Sequence, residues 1–265
     1  MQSLQQHIKE RTKHMIKILA IGNSFSQDAT AYLHDIATAG NIETKIGNLC
    51  IGGCSLSKHM ENAQSDAQSY GYEINGADME RKISIREALL EDDWDFVAMQ
   101  QASHDSGLED SYFPHITQLS DYVKQYAPNA KQFIHQTWAY EIDSPHPAFE
   151  QYQNDQLCMY AALKSAYEKA ASAIGADIIP CGDVIQELRK QKPFDYANGG
   201  ISLCCDGFHM NKIYGRYAIA ATWFERILKG AILENNFMLP DADDAAILLV
   251  KQTIHSVCHH NTKHS

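Results

Sequence analysis

Residues 17–26 read KILAIGNSFS, and the rest of the chain is organised around this stretch. A run of four apolar residues, ILAI, stops abruptly at Gly22-Asn23-Ser24, which indicates a short buried strand followed by a tight turn. The turn leaves Ser24 at the carboxyl end of the strand, where open α/β sheets bind their ligands. The same pattern also describes an ordinary turn followed by a helix N-cap, so the rest of the chain has to decide between the two.

Apolar and helical segments alternate along the chain. The segments that predict buried strands are residues 16–21, 43–51, 95–100, 132–138 and 176–180. Helical spacing runs through residues 29–39, 112–126, 149–174, 211–228 and 241–257. This alternation predicts an α/β fold of three layers, α/β/α, around a doubly wound parallel sheet of five strands.

One segment does not fit the alternation. Residues 55–82 are long, polar and only weakly periodic, which indicates a lid or a substrate-binding loop inserted between sheet elements. Directly after it, Ser84 and Glu87 have the spacing of a capping box. They predict that a short helix starts here and runs through residues 83–90.

The composition limits the partners and the setting of the protein. Of the 265 residues, 45% are apolar, which suits one large domain over residues 15–265 behind an N-terminal extension of residues 1–14. The net charge of −11 argues against nucleic acid and anionic membranes as partners, and no apolar run approaches the ~20 residues that cross a bilayer. The oligomeric state is left open.

The expected compartment follows from the N-terminus and the cysteines. Residues 1–14 lack the apolar core of a secretory signal. The seven cysteines, an odd number, show no disulfide-like spacing, which fits a reducing compartment. We therefore expect a cytoplasmic protein; the alternative is that a secretory signal has been removed.

A nucleophilic serine needs a base beside it, and one segment offers a compact candidate. In Asp206-Gly207-Phe208-His209 the imidazole would accept the serine proton and the carboxylate would orient the imidazole. Gly207 would relax the backbone between them. The alternative interpretation is that Asp206 caps the following helix and His209 is an ordinary surface residue.

The oxyanion formed by attack on an acyl carbon needs hydrogen-bond donors that are already in place. The backbone N–H of Ser24 is one candidate, and Gly53 could bring a second N–H close because it has no side chain. Residues 100–105, QQASHD, form a polar run directly after a buried strand and could supply a third donor. An ordinary solvated loop is the alternative interpretation for each.

Four segments, in order, resemble the sequence blocks of the SGNH (GDSL-like) hydrolase superfamily. The matching positions are residues 22–26, Gly53, residues 95–105 and residues 206–209. Residues 22–26, 100–104, 135–140 and 215–217 are similar, more closely, to an uncharacterised bacterial family of SGNH-like hydrolases. The resemblance spans roughly residues 15–230.

The resemblance implies a flavodoxin-like SGNH hydrolase fold and a serine esterase, with Ser24 as nucleophile, His209 as base and Asp206 as the orienting carboxylate. Related superfamily members include sugar acetylesterases, so the implied substrate is a small acyl ester, acetyl foremost, on a carbohydrate or small molecule. Two alternatives stay open. One is a lipase- or thioesterase-like hydrolase of longer acyl chains, and the other is a non-catalytic glycan-binding protein on a decayed hydrolase fold.

The resemblance also implies an oxyanion hole formed by Ser24 and Gly53 together with His104 or Gln101. The chain departs from the superfamily pattern at two positions. Asn23 replaces the usual aspartate before the serine, and His104 stands where the superfamily has an asparagine. A neutral imidazole can donate one hydrogen bond, so His104 could still serve.

Four further side chains are expected to line the substrate site: Gln100, Gln136, Trp138 and Tyr140. Trp138 and Tyr140 follow the fourth predicted strand and could form an aromatic platform for a sugar ring. The alternative is that both rings pack at the base of a loop.

The C-terminal segment resembles a metal site in part. His255 and His259 stand four positions apart on a predicted helix, near Cys258 and His260. No carboxylate-rich loop completes the set, and the Gly22-Asn23-Ser24 turn lacks the spacing and lysine of a phosphate-binding loop. We therefore predict neither a metal site nor a cofactor.

Overall fold

A seven-stranded sheet runs through the computed structural model, which describes residues 14–260. The strands are β1 (Ile16–Gly22), β2 (Thr44–Cys50), β3 (Tyr70–Ile74), β4 (Ala77–Ile83), β5 (Phe96–Met99), β6 (Lys131–His135) and β7 (Asp177–Ile179). Their order across the sheet is β4-β3-β2-β1-β5-β6-β7. The predicted N-terminal extension, apart from His14, lies outside the described residues.

Helices connect the strands and cover the sheet. They are α1 (Ser24–Thr30), α2 (Leu33–Ala39), α3 (Leu56–Gln64), α4 (Ile85–Leu90), α5 (His115–Tyr126), α6 (Gln156–Ile174), α7 (Cys181–Leu188), α8 (Tyr214–Arg226) and α9 (Asp244–His260). Helix α8 packs against α1, α2, α7 and α9, whereas α5 packs against α3, α4 and α6. Within the described part of the chain, no helix is both long enough and apolar enough to cross a membrane.

The predicted α/β fold and its five parallel strands are confirmed. Strands β2, β1, β5, β6 and β7 pair in parallel, in that order. Two antiparallel strands, β3 and β4, extend this sheet beyond β2. They come from residues 55–82, which therefore form α3 and an edge hairpin rather than the predicted lid or substrate-binding loop. Strand β4 is exposed along almost its whole length, so its sequence has no apolar alternation to reveal it.

The first strand sets the position of the candidate site. Strand β1 pairs with β2 on one side and with β5 on the other, and the chain proceeds from it toward both edges of the sheet. Its carboxyl end is therefore a topological switch point, where α/β sheets form a crevice. Helix α1 begins here with Ser24, five residues earlier than the sequence predicted, and a break after Thr30 separates it from α2.

Two histidines are fully enclosed in the fold. The Nδ1 of His59 lies 2.8 Å from the Tyr70 hydroxyl oxygen, and the two rings stack. His135 ends β6 and pairs with Gln100. Burial lowers the pKa of each imidazole from 6.5 to about 3, because the charged ring would lose its hydration. Both rings are therefore neutral in the folded protein at neutral pH.

These two rings should make stability fall in acid. Below its ordinary pKa of 6.5 each ring takes up a proton in the unfolded chain but not in the folded protein, until the pH nears the folded value of about 3. The free energy of unfolding therefore declines as the pH falls through this window. The glutamine of His59→Gln cannot be protonated. Between about pH 7.5 and about pH 5, urea titrations should therefore show a loss of unfolding free energy that is about 2 kcal/mol smaller in this variant than in the wild type.

The measurement at about pH 7.5 serves as the control, because it isolates the packing cost of the substitution from the proton effect. A decline in His59→Gln equal to that of the wild type would contradict the expectation.

Candidate active site

Ser24 is held at the start of α1 by the residue before it. The Asn23 side chain caps the helix, its Oδ1 accepting a hydrogen bond from the Phe25 N–H at 3.0 Å. Ser24 itself is half-buried. Within residues 14–260 its backbone N–H has no hydrogen-bond acceptor, as is usual for the first residue of a helix.

Asn23 also ties the Ser24 turn to the neighbouring strand ends. Its Nδ2 donates to the Cys54 carbonyl oxygen at 3.2 Å, and its Oδ1 accepts from Gln100 Nε2 at 2.7 Å. Gln100 Oε1 in turn accepts from His135 Nδ1 at 2.9 Å. These side chains are buried, so each bond removes a polar group that would otherwise be unsatisfied. The turn that carries Ser24 is therefore fixed from three sides.

The structure brings Ser24, His209 and Asp206 together in one hydrogen-bonded chain. His209 Nε2 lies 2.8 Å from Ser24 Oγ, and His209 Nδ1 lies 2.7 Å from Asp206 Oδ2. An ionised carboxylate only accepts hydrogen bonds, so Nδ1 carries the ring proton and Nε2 accepts from the serine hydroxyl. This is the arrangement in which an imidazole can remove a proton from serine.

Asp206 is held in its ionised form. Burial acts to raise its pKa, but hydrogen bonds from the His209 ring and from the backbone N–H groups of His209 and Phe208 outweigh burial and lower the pKa below its usual value. The backbone bonds to Oδ1 measure 2.7 Å from His209 and 3.1 Å from Phe208. The carboxylate thus fixes both the ring and the loop that carries it.

Neighbouring segments hold the 206–210 loop from outside. The Gly207 carbonyl oxygen accepts from the Glu141 N–H at 2.8 Å, and the Phe208 carbonyl oxygen accepts from Trp138 Nε1 at 2.7 Å. Gly207 has a φ of +89°, and a Cβ there would lie 2.8 Å from Ser144 Cα. Glycine is therefore required at this position, for conformation and for space.

Asp28 is a positioning residue that the sequence did not reveal. Its Oδ2 accepts from the Met210 N–H at 2.9 Å, and its Oδ1 accepts from Arg216 Nε at 2.8 Å. Burial raises the pKa of the Asp28 carboxyl, and the nearby Arg216 charge only partly offsets this. Nothing in the sequence around Asp28 indicates its two partners, because they lie more than 180 positions later in the chain.

Gly53, whose oxyanion role stays a prediction, lies in the turn that follows β2. It is exposed with a φ of +64°, and a Cβ built on it would meet nothing within 4 Å. The next residue, Cys54, accepts the Asn23 side-chain bond, which sets this turn beside Ser24. Within the described residues its N–H has no acceptor. The N–H groups of Ser24 and Gly53 are thus both available to a ligand.

The other two oxyanion candidates are not brought to Ser24. The buried Gln101 amide is fully engaged: Oε1 accepts from the backbone of Leu56 and Ala102, and Nε2 donates to Ser111. The prediction for Gln101 is therefore wrong, because no donor is left. His104 is half-buried, with its ring stacked on His146 at 6.3 Å. No hydrogen bond joins it to Ser24 in the described part of the chain, and its role stays a prediction.

The four predicted substrate-binding side chains are at most 1% exposed. Gln136 bonds Asp183, and the Tyr140 hydroxyl pairs with Ser103. Trp138 stacks on Phe25, while Gln100 belongs to the Asn23 network. A side chain without exposed surface cannot contact a substrate, so the prediction is corrected. Gln100 and Trp138 support the segments that carry Ser24 and His209, whereas Gln136 and Tyr140 bond Asp183 and Ser103.

Residues 17–256 match the family described as a domain of unknown function, DUF4886. A solved member of that family, from Bacteroides uniformis, is 35% identical and superposes with a TM-score of 0.88. The alignment covers 95% of this chain and 98% of that one. Among curated proteins, none matches the sequence.

More distant structures share the fold at low identity. A candidate SGNH hydrolase from Slackia heliotrinireducens is 20% identical with a TM-score of 0.54, covering 80% of this chain and 98% of that one. The acetylxylan esterase Axe2 from Geobacillus stearothermophilus is 12% identical with a TM-score of 0.52, covering 80% and 95%. The chain therefore has the SGNH hydrolase fold that the sequence resemblance implied.

The requirement for glycine in the 206–210 loop can be measured against a matched position. Gly199 has nearly the same φ, +87°, but a Cβ there would meet nothing within 4 Å. Gly199→Ala should cost about 1 kcal/mol from backbone strain alone. Gly207→Ala should cost a further 1–3 kcal/mol or so, because its Cβ collides with residues 144–145. Urea denaturation of both variants measures the difference, and equal losses would show that the close approach is not rigid.

Proposed function

The chain belongs to the DUF4886 family of domains of unknown function, and we propose that it is a serine esterase. The proposed substrate is a small acyl ester, acetyl foremost, on a carbohydrate. The observation that carries this proposal is the hydrogen-bonded chain from Ser24 through His209 to Asp206. Serine is a weak nucleophile by itself, and this chain supplies the base that activates it.

The proposed reaction proceeds through an acyl-enzyme. Ser24 Oγ attacks the acyl carbonyl carbon while its proton passes to His209 Nε2. The tetrahedral intermediate collapses, the bond to the alcohol breaks, and His209 returns the proton to the leaving oxygen. Water then attacks the acyl group with His209 again as base, which releases the acid and restores Ser24. Asp206 keeps the imidazole in one tautomer and stabilises its charged form.

The oxyanion would be stabilised chiefly by backbone groups. Ser24 and Gly53 each present an N–H with no acceptor among residues 14–260. Two preorganised donors of this kind are the usual minimum for acyl transfer. His104 is retained as the proposed third donor, since its half-exposed ring could turn toward a bound substrate. In the superfamily pattern an asparagine stands at the position of His104.

Two considerations support a small acyl group on a carbohydrate. Asp206 and Gly53 are exposed, so the proposed site lies at the protein surface. A site at the surface can accept an ester whose alcohol part is large and hydrophilic. The second is the fold neighbour Axe2, whose name describes an acetylxylan esterase. At 12% identity that neighbour contributes analogy to the proposal, and the substrate has to come from experiment.

The proposal is tested with aryl esters of graded chain length and with acetylated oligosaccharides. We expect hydrolysis by the wild type that is fastest for acetyl and declines for longer acyl chains. Ser24→Ala should lower kcat by about a millionfold, because the nucleophile is gone. Asp206→Asn should lower kcat by about ten-thousandfold, because it disturbs the tautomer of His209 while leaving the nucleophile in place.

Ser172→Ala is the matched control, since Ser172 is exposed on α6 and should leave the rates unchanged. Equal rates for the wild type and Ser24→Ala would contradict the mechanism. Rates that rise with chain length would favour a lipase- or thioesterase-like enzyme. An absence of hydrolysis combined with equal glycan binding by both proteins would favour the non-catalytic alternative.

A further inference from the structure

A second cluster of chemically active side chains lies where the end of α8 meets α9. It consists of Glu225 on α8 and of His255 and His259 on α9. One carboxylate oxygen and one ring nitrogen from each histidine lie within 4.8 Å of one another. Sequence alone could not show this, because the carboxylate comes from a different helix, thirty positions before the first histidine.

The Glu225 carboxylate is aimed at the two imidazoles. Its Oε2 accepts a hydrogen bond from the Ile232 N–H at 3.0 Å, which fixes the orientation of the group. Its Oε1 lies 2.8 Å from His255 Nδ1 and 3.5 Å from His259 Nδ1. The carboxylate is only 4% exposed, whereas His255 and His259 are 44% and 57% exposed. His259 Nδ1 also lies 2.8 Å from the His255 carbonyl oxygen, a contact that the ring would exchange for the ion. A fixed acid with two partly exposed imidazoles beside it can bind an ion that arrives from solvent.

A buried carboxylate needs a positive partner, and no permanent cation supplies one here. Among the described residues, no lysine or arginine lies within ion-pairing distance of Glu225. The nearby Arg226 donates instead to the Ile178 carbonyl oxygen at 3.0 Å and to Asp177 at 3.3 Å. Leaving a charge buried and uncompensated is costly. The cluster therefore favours a cation at Glu225, supplied by a protonated histidine or by a metal ion.

We propose that Glu225, His255 and His259 bind one divalent transition-metal ion, zinc foremost, with water completing its coordination. Two imidazoles and one carboxylate are a donor set that zinc takes, at bond lengths of about 2.0–2.2 Å. Tetrahedral ligands then stand roughly 3.3 Å apart, close to the 2.8 Å and 3.5 Å separations around Glu225 Oε1. The adjoining cavity of about 280 Å³, which the three residues line together with Arg226 and Lys229, gives the ion and its waters access.

The ion would act as a brace between two helices rather than in the ester chemistry. Arg216, which supports the catalytic loop through Asp28, stands nine positions before Glu225 on the same helix. At 1.5 Å per residue this separates the two sites by roughly 13 Å along the helix axis. Metal binding should therefore raise thermal stability without being needed for acyl transfer.

The test uses the full chain without an affinity tag, freed of metal with a chelator and titrated with zinc chloride by calorimetry. We expect one zinc ion per chain and a higher midpoint of thermal unfolding with zinc than without it. His255→Gln and His259→Gln should each weaken zinc binding at least about tenfold, since even an indirect partner of a ligand contributes that much. Both positions are partly exposed, so the variants should fold normally.

Two controls separate this site from other histidines. His34→Gln, on α2, should bind zinc like the wild type. A variant with His260→Gln and His264→Gln tests two further histidines near the C-terminus. Zinc binding that survives His255→Gln and His259→Gln, or that disappears only in the variant of residues 260 and 264, would overturn the proposal. Binding without any rise in the unfolding midpoint would overturn the bracing role.

Discussion

The hydrogen bond from the Met210 N–H to Asp28 is the contact on which the rest of the site depends. Asp28 lies on the helix that begins with Ser24, and Met210 directly follows His209, although the two partners are 182 positions apart in the chain. One bond therefore connects the helix of the serine to the loop of the imidazole. The bond helps to hold His209 Nε2 at 2.8 Å from Ser24 Oγ, and a displacement of about 1 Å between two such groups is costly.

Polar side chains in the interior fix the other half of the site. Asn23, Gln100 and His135 form a continuous network beneath the turn that carries Ser24. Buried polar side chains destabilise a fold when they lack hydrogen-bond partners. Once they are hydrogen-bonded, they favour a single arrangement of the segments that carry them. Trp138 holds the 206–210 loop in place through one hydrogen bond to the Phe208 carbonyl oxygen. The geometry around Ser24 and His209 is thus maintained by residues that are buried in the interior.

The sequence predicted most of the fold because parallel, buried strands are continuous apolar runs, as in Phe96–Met99. The start of α4 was predicted because its capping box, Ser84 and Glu87, involves only residues close in the sequence. It missed the edge hairpin, whose strand β4 is exposed and polar. It placed Ser24, His209 and Asp206 through motif order. Polarity alone, however, could not distinguish a side chain that binds substrate from one such as Gln101, whose amide is hydrogen-bonded to neighbouring backbone groups. Long-range partners such as Asp28 and Glu225 have no local signature at all.

The central claim is that His209 makes Ser24 an activated nucleophile, and covalent labelling tests it most directly. A fluorophosphonate reacts when a serine oxygen attacks phosphorus and fluoride leaves, which requires the same base and the same donors as acyl transfer. Mass spectrometry of the labelled wild type should show one adduct per chain, on the peptide that contains Ser24, and little labelling in a His209→Ala variant. An unlabelled Ser24, or equal labelling without His209, would contradict the account.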